Sequence, residues 1–516
     1  MQISGANSIV KTLLAGGVEV CFTNPGTSEM HLVAALDHNP RLRCVLALFE
    51  GVVSGAADGY ARMAGKPACT LVHLGPGLAN SLANLHNASR AHVPILNIVG
   101  QHATFHLPLD TPLTSDIEGI ARPYSKWLRT SRSTADLGRD VAEAIVASRT
   151  PPGHIATLIV PADIAWADGG IVAPTPAIPK PPLPASGTIA QIAAKLKREP
   201  QAALLLSGDA LYGAGLVTAG HLAADANAKL FAPYPFTRLE RGAGKPLVER
   251  IPYVQDQAID LLRDIRLLVL VGGASPHSYF ASQGQNTSFT SPECEIVMLA
   301  ESDEDCAGAL EALASEIGVR PEQSIVEQSQ RPPVPNGPIS LHGLAAAIAA
   351  LLPENAIVVD ESMTSGRGIL SAARGAAPHD FLANTGGSIG IAMPLAVGAA
   401  VACPDRRVLC LSADGSGMYT LQGLWTMARE GLNVTTVIFA NRAYSVLKRE
   451  FSNLGMGEPG PVASRLFSIG DPDLDWISIA KGMGVPARRA TSLDDFVVAL
   501  KDGLQTDGPN LIEVPL

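Results

Sequence analysis

The chain has 516 residues, too many for one hydrophobic core, so two to four domains are expected. A content of 47% hydrophobic and 17% charged residues excludes a disordered chain, and a formal charge of -10 with no basic run argues against nucleic-acid or anionic-membrane binding. Seven cysteines, none in a Cys-x-x-Cys pair, point to a reducing cytoplasm with neither disulfides nor structural zinc.

The opening stretch MQISGANSIVKTLLAGG has a polar start, a lysine in its middle and no cleavage-like site; it reads as a first helix and not as a signal peptide. Four apolar runs follow: RCVLALF, ACTLVHL, VPILNIVG and ATLIVP. A proline-rich stretch at 171–187 reads as a linker. The next segment carries AALLLSG, AKLFAPY, LLVLVGG and CEIVMLA, and a second linker is expected at 327–337. The last segment carries AIVVDE, RVLCLSAD, VTTVIFAN and PNLIEVPL. Its longest apolar stretch, GGSIGIAMPLAVGAAVAC, contains Pro394 and four glycines and reads as a turn plus a buried helix, not a membrane span. Continuous apolar runs separated by helix-length segments indicate parallel strands covered on both faces. The expectation is three serial α/β domains with doubly wound parallel sheets, over 1–170, 188–326 and 338–516. Ligands in such sheets bind outside the carboxyl ends of the strands.

Two strand tips carry suggestive residues. RVLCLS is followed by Asp414, Gly415 and Ser416, and VTTVIF by Ala440 and Asn441. The interval from Asp414 to Asn441 leaves room for one helix and one strand, so the tips can be neighbours. A carboxylate, an amide oxygen, a backbone carbonyl and water suit Mg²⁺ completed by a bound phosphate. Gly415 and Ser416 open a helix and offer amides to that phosphate. Taken singly, Asp414 reads as a helix cap and Asn441 as a turn residue; the pair at this spacing favours a site.

The pattern ADGSG…FAN resembles the Gly-Asp-Gly…Asn signature of thiamine-diphosphate enzymes, with Ala413 in place of the usual glycine. That resemblance implies metal ligands Asp414, Asn441 and the Ala443 carbonyl, with Tyr444 beside them. The segment RCVLALFEGVVSGAADGYARMAGKPA is similar to the family's glutamate-bearing segment, which implies that Glu50 activates the cofactor's aminopyrimidine ring. VDESMTSG resembles the diphosphate-side loop, implying cofactor contacts at Ser362, Met363 and Thr364. NTGGSIGIAMP resembles the aminopyrimidine loop, implying contacts at Gly387, Ser388 and Ile389, with Ile389 wedging the cofactor into a bent shape. In this family the site is shared between chains, so at least a homodimer and, further, a homotetramer is expected.

Within the family, FTNPGTSEMHLVAAL and TLVHLGPGLANSLANLHNA are similar to benzoylformate decarboxylase and to acetohydroxyacid-synthase-like sequences. This places Thr27 and His73 at the substrate and makes His277 the candidate second histidine. The implied activity is decarboxylation of a small 2-oxo acid, with acetolactate-synthase-type carboligation as the alternative. Two further readings are a non-catalytic cofactor-binding relative and an unrelated phosphate binder. His102 and His106 stand four apart without a third ligand, and no glycine-rich flavin signature is visible, so neither a metal pair nor FAD is expected.

Overall fold

The computed structural model describes residues 3–281, 286–320 and 325–516. Parts of the expected first and middle segments, at 1–2, 282–285 and 321–324, lie outside the described residues. Apart from a separate two-stranded antiparallel pair, β1 (Ile3–Ser4) with β8 (Asp168–Gly170), the first segment is built on one six-stranded sheet. That sheet contains β2 (Val20–Asn24), β3 (Arg43–Leu46), β4 (Ala68–Val72), β5 (Ile95–Gln101), β6 (Trp127–Thr130) and β7 (Ile155–Pro161). Its order is β3-β2-β4-β5-β7-β6 and every pairing is parallel.

A second parallel sheet is built from β9 (Ala202–Leu206), β10 (Lys229–Ala232), β12 (Glu249–Arg250), β13 (Leu267–Val271) and β14 (Glu295–Ala300). β11 (Arg238–Arg241) lies between them in sequence but belongs to the third sheet. There it pairs antiparallel with β16 (His379–Ala383). The other strands of that sheet are β15 (Ala356–Glu361), β17 (Val408–Ala413), β18 (Val434–Ala440), β19 (Ala487–Arg489) and β20 (Asn510–Pro515), all joined by parallel pairings in the order β11-β16-β15-β17-β18-β20-β19. The middle segment therefore supplies an edge strand to the C-terminal sheet. The physical reason is local: β11 satisfies the open edge of β16, its Leu239 is buried, and Phe236 packs on Phe381 with ring centroids 6.1 Å apart.

The apolar stretch after residue 391 forms a fully packed helix, Ala392–Ala402, lying against helix Glu50–Ala64. Small residues set that contact. A β-carbon on Gly398 would stand 1.9 Å from the Ala56 carbonyl oxygen, and one on Gly59 would stand 2.1 Å from that of Leu395. Backbone meets backbone at both points, so relief by side-chain rotation is not available. Gly398→Ala is expected to destabilise the fold by about 1–3 kcal/mol, read as a lower urea midpoint with an unchanged m value.

Arg62, on the same helix, is a junction. Its guanidinium forks onto Asp58 at 2.6 and 2.8 Å and donates to the carbonyls of Thr237 (3.0 Å) and Ala383 (2.8 Å). Both side chains of the ion pair are fully buried. Burial raises the Asp58 pKa, and the facing Arg62 opposes that rise. Residues from all three chain segments thus meet on one cation. No helix among the described residues is long and apolar enough to cross a membrane.

Candidate active site

β17 ends at Ala413, whose φ of -92° and ψ of 156° are open to any residue, so the methyl group there carries no backbone strain. Asp414 follows as the first residue of the short helix Asp414–Gly417 and is buried. One carboxylate oxygen accepts the Gly415 N–H at 2.9 Å and the other the Arg442 N–H at 2.7 Å. The parallel register aligning Ala413 with Phe439 brings the end of β18 alongside. Asn441 donates through its amide nitrogen to the Ser445 hydroxyl at 3.2 Å, and its Oδ1 accepts the Ala443 N–H at 3.0 Å. These bonds fix which end of the amide is oxygen.

A buried carboxylate and an oriented amide oxygen each keep a lone pair free, and the Ala443 carbonyl is close in sequence. That donor set fits a hard divalent cation. Burial pushes the Asp414 carboxyl upward, while the two N–H groups and Arg442 pull it back; a cation there would hold it ionised. Gly415 and Ser416 follow Asp414 in the same short, buried helix. The Tyr444 ring covers Gly415 so closely that a β-carbon would meet Cε1 at 2.7 Å. Asp414 also lines a cavity of about 320 Å³ with Arg442, Trp476 and Glu513.

The neighbouring strand adds the next loop. β15 runs to Glu361, so Ser362, Met363 and Thr364 sit at its tip, with Met363 in the left-handed region at φ 53°. The Ser362 N–H and hydroxyl both bond to Asp360. Gly387, at φ 78°, donates its N–H to the Asn384 side chain at 2.9 Å; Ser388 exchanges bonds with Asn87 at 3.1 and 2.8 Å; Ile389 is half-buried.

Glu361 anchors this loop, and sequence reasoning passed over it. The side chain is buried and accepts from Gly390 (2.9 Å), Ile391 (3.4 Å), Ala392 (3.1 Å) and the Asn384 amide (3.1 Å). It caps helix Ala392–Ala402. Burial raises its carboxyl from 4.5 to about 7 against the pull of those donors. The folded state therefore holds the proton more tightly than the unfolded state. This contribution to stability is complete below about pH 4.5 and is lost as pH rises to about 7. Wild type should lose about 3 kcal/mol relative to Glu361→Gln across that window, checked by urea unfolding of both proteins at several pH values.

The other half of the site lies at the strand ends of the first sheet. Glu50 begins helix Glu50–Ala64 and is nearly buried; its Oε2 accepts the Asn80 amide at 3.0 Å, and Gly77 leaves room for Oε1. His73 ends the β4 turn and precedes helix Leu74–Arg90. Its Nδ1 is 2.7 Å from Glu29 Oε2, which also takes the Gly26 N–H at 2.7 Å. Gly26 stacks against the imidazole, since a β-carbon would lie 2.3 Å from the ring. Thr27, the next residue, is exposed at the same edge. Glu29 is the second residue that sequence reading missed, although it lies two positions after Thr27. Burial raises its pKa, and His73 opposes the rise. Glu29→Gln is expected to lower kcat about 10- to 100-fold, with cofactor affinity unchanged.

His277 is exposed in a loop, where its Nδ1 engages the Ser275 carbonyl at 2.8 Å. The group that reaches the 387 loop from this region is Tyr279. The His102 and His106 rings lie 5.6 Å apart, and no group of three or more metal-binding His, Cys, Asp or Glu side chains occurs among the described residues.

Glu50 meets helix Leu74–Arg90 at Asn80, whereas Ser388 meets it at Asn87. Seven residues of helix separate these contacts by about 10 Å.

Residues 3–117 match the family described as "Thiamine pyrophosphate enzyme, N-terminal TPP binding domain", and residues 368–514 match "Thiamine pyrophosphate enzyme, C-terminal TPP binding domain". Glu50 and His73 fall in the first match; Gly387, Asp414 and Asn441 fall in the second. A Mycobacterium tuberculosis protein described as "Putative acetolactate synthase large subunit IlvX" is 48% identical over 516 residues, covering 99% of each chain. Benzoylformate decarboxylase of Pseudomonas aeruginosa is 29% identical over 97% of this chain and 96% of its own. The solved structure of the thiamine diphosphate-dependent 4-hydroxybenzoylformate decarboxylase of Rhodococcus jostii RHA1 superposes with a TM-score of 0.88 at 22% identity over 99% of each chain, which shows the shared fold.

Proposed function

Because this chain belongs to the thiamine pyrophosphate enzymes, we propose that it decarboxylates a 2-oxo acid and releases the aldehyde, with thiamine diphosphate anchored through Mg²⁺. Asp414, Asn441 and the Ala443 carbonyl hold the metal. Thiamine diphosphate held there would supply the nucleophilic carbon and the electron-accepting ring that decarboxylation of a 2-oxo acid needs. Glu50 bonds the pyrimidine ring and sets its protonation. His73, oriented by Glu29, moves a proton at the substrate, and Thr27 offers a hydroxyl beside it.

The observation that most supports this reading is the Glu29–His73 dyad at the strand ends that also present Glu50. A release step needs a proton donor held ready, and a buried carboxylate fixing an imidazole is such a device. Membership of the thiamine pyrophosphate enzymes supports a homodimer in which Glu50 of one protomer faces the 387–389 loop and Asp414 of another. Two dimers would give a tetramer. We place the protein in the cytoplasm, and the reading needs no flavin.

Carboligation is the second reading, favoured by the relative described as an acetolactate synthase large subunit. The test is product analysis with Mg²⁺, thiamine diphosphate and pyruvate, benzoylformate or a branched 2-oxo acid. CO₂ with the matching aldehyde is the expected result. Acetolactate or another ligated product would move the assignment to a carboligase, and no turnover of any acid would overturn both.

A further inference from the structure

We propose that Arg241 and His379, buried side by side where the middle segment joins the C-terminal sheet, form a binding site for a hydrogen phosphate ion. The proposal does not depend on which 2-oxo acid the protein uses or on the fate of its product.

The antiparallel register of β11 and β16 sets Arg241 directly opposite His379, so both side chains leave the same face of the sheet. Both residues are buried, at 7% and 3% exposure, and the next pair on that face, Leu239 and Phe381, belongs to the apolar core. Against that background the Arg241 Nε and Nη1 have no hydrogen-bond partner among the described residues, and neither has the His379 Nε2. The Glu327 carboxylate faces this cation but is engaged by the Arg374 guanidinium at 2.7 Å. Burial, with Arg250 and Arg374 as neighbouring cations, lowers the Arg241 pKa to about 9, so it remains charged at neutral pH. Three guanidinium groups thus share one carboxylate, and the corner is left cationic.

The histidine decides what kind of ligand fits. Its Nδ1 lies 2.8 Å from the Ala377 carbonyl, which only accepts, so Nδ1 carries the ring proton. Burial lowers the His379 pKa to about 4, which leaves the ring neutral and Nε2 a bare acceptor. A ligand that completes the corner must accept from Arg241, donate to His379 and bring negative charge. Carboxylate, chloride and sulfate only accept. Water makes both bonds but leaves the buried charge uncompensated, which is the costly part. Hydrogen phosphate meets all three demands: its oxygens take the two guanidinium donors, its hydroxyl gives to Nε2, and its double charge matches the excess of cations. The segment 327–330 closes the corner from outside, where the Glu327 carbonyl accepts the Gly244 N–H at 2.9 Å and the Gln330 N–H donates to Gly375 at 3.0 Å. The ion would therefore tie together β11, that segment and the start of β16.

The test uses the full-length protein loaded with Mg²⁺ and thiamine diphosphate, so that phosphate is not read at the cofactor's own diphosphate site. Binding of radiolabelled inorganic phosphate is measured by equilibrium dialysis at neutral pH and constant ionic strength, with unlabelled phosphate or sulfate as competitor. Wild type should bind phosphate saturably, and sulfate should displace it roughly tenfold less well, the effect of one lost hydrogen bond. Arg241→Met keeps the length of the buried chain and removes its charge, so the fold is retained and phosphate binding should disappear. Equal binding by wild type and Arg241→Met would overturn the site, as would sulfate competing as well as phosphate. No saturable binding by wild type would assign the corner to buried water and would also overturn it. Should Arg241→Met fail to fold, the phosphate-against-sulfate competition on wild type decides alone, since only a ligand that donates to Nε2 separates the two ions.

Discussion

Glu50→Gln is expected to lower kcat by about three orders of magnitude while thiamine diphosphate remains bound. The substitution is nearly isosteric, and the side chain sits in a tight niche between Asn80 and Gly77. Gln keeps an oxygen for the Asn80 amide, so the niche and the helix start at Glu50 stay intact. What it loses is a carboxylate able to hold and release a proton on the pyrimidine ring. Rate and binding therefore separate: CO₂ release falls while fluorescence-detected cofactor affinity changes little. Unchanged turnover would leave Glu50 as a helix-start residue only and remove its role in activating the cofactor.

Removing Asp414 should act on the opposite quantity. Asp414→Ala is expected to weaken Mg²⁺-dependent cofactor binding by about two orders of magnitude, measured by titration at several Mg²⁺ concentrations. It also leaves the Gly415 and Arg442 N–H groups without acceptors, at about 1–3 kcal/mol each where they are buried. That structural cost is separable. Asp414→Asn keeps the volume and one acceptor, so it should retain most of the unfolding midpoint yet lose the metal dependence. If Asp414→Asn bound the cofactor as wild type does, the metal assignment would fall.

The strand ends were readable from sequence because chemistry follows each apolar run: Asp414 and Asn441 stand just beyond fully buried strands, and Glu50 opens the helix after the partly exposed β3. The residues that hold those groups in place were harder to see. Glu361 looks like the polar end of a strand, and its four partners lie 23 to 31 positions away. Glu29 sits in a short turn, and only the fold shows that β4 delivers His73 to it. β16 begins with His379 and Asp380, which argue against a buried strand. In the structure both are buried, and Asp380 is neutralised by Arg238 at 2.7 Å and Arg406 at 2.6 Å. β11 is short and charged, so its transfer to the third sheet carries no local signal. His277 and Tyr279 differ by two positions in one loop, and the fold of the loop decides which one reaches Gly387.

The most direct test of the account is to mix Glu50→Gln protein with Asp414→Ala protein after dissociation and reassembly, and to measure 2-oxo acid decarboxylation. Each variant alone should be inactive. A mixed dimer places both defects in one site and leaves the other with an intact Glu50 from one chain and an intact Asp414 from its partner. Random mixing should therefore restore about a quarter of wild-type activity. No recovery, in mixtures shown to contain mixed dimers, would contradict a site shared between chains.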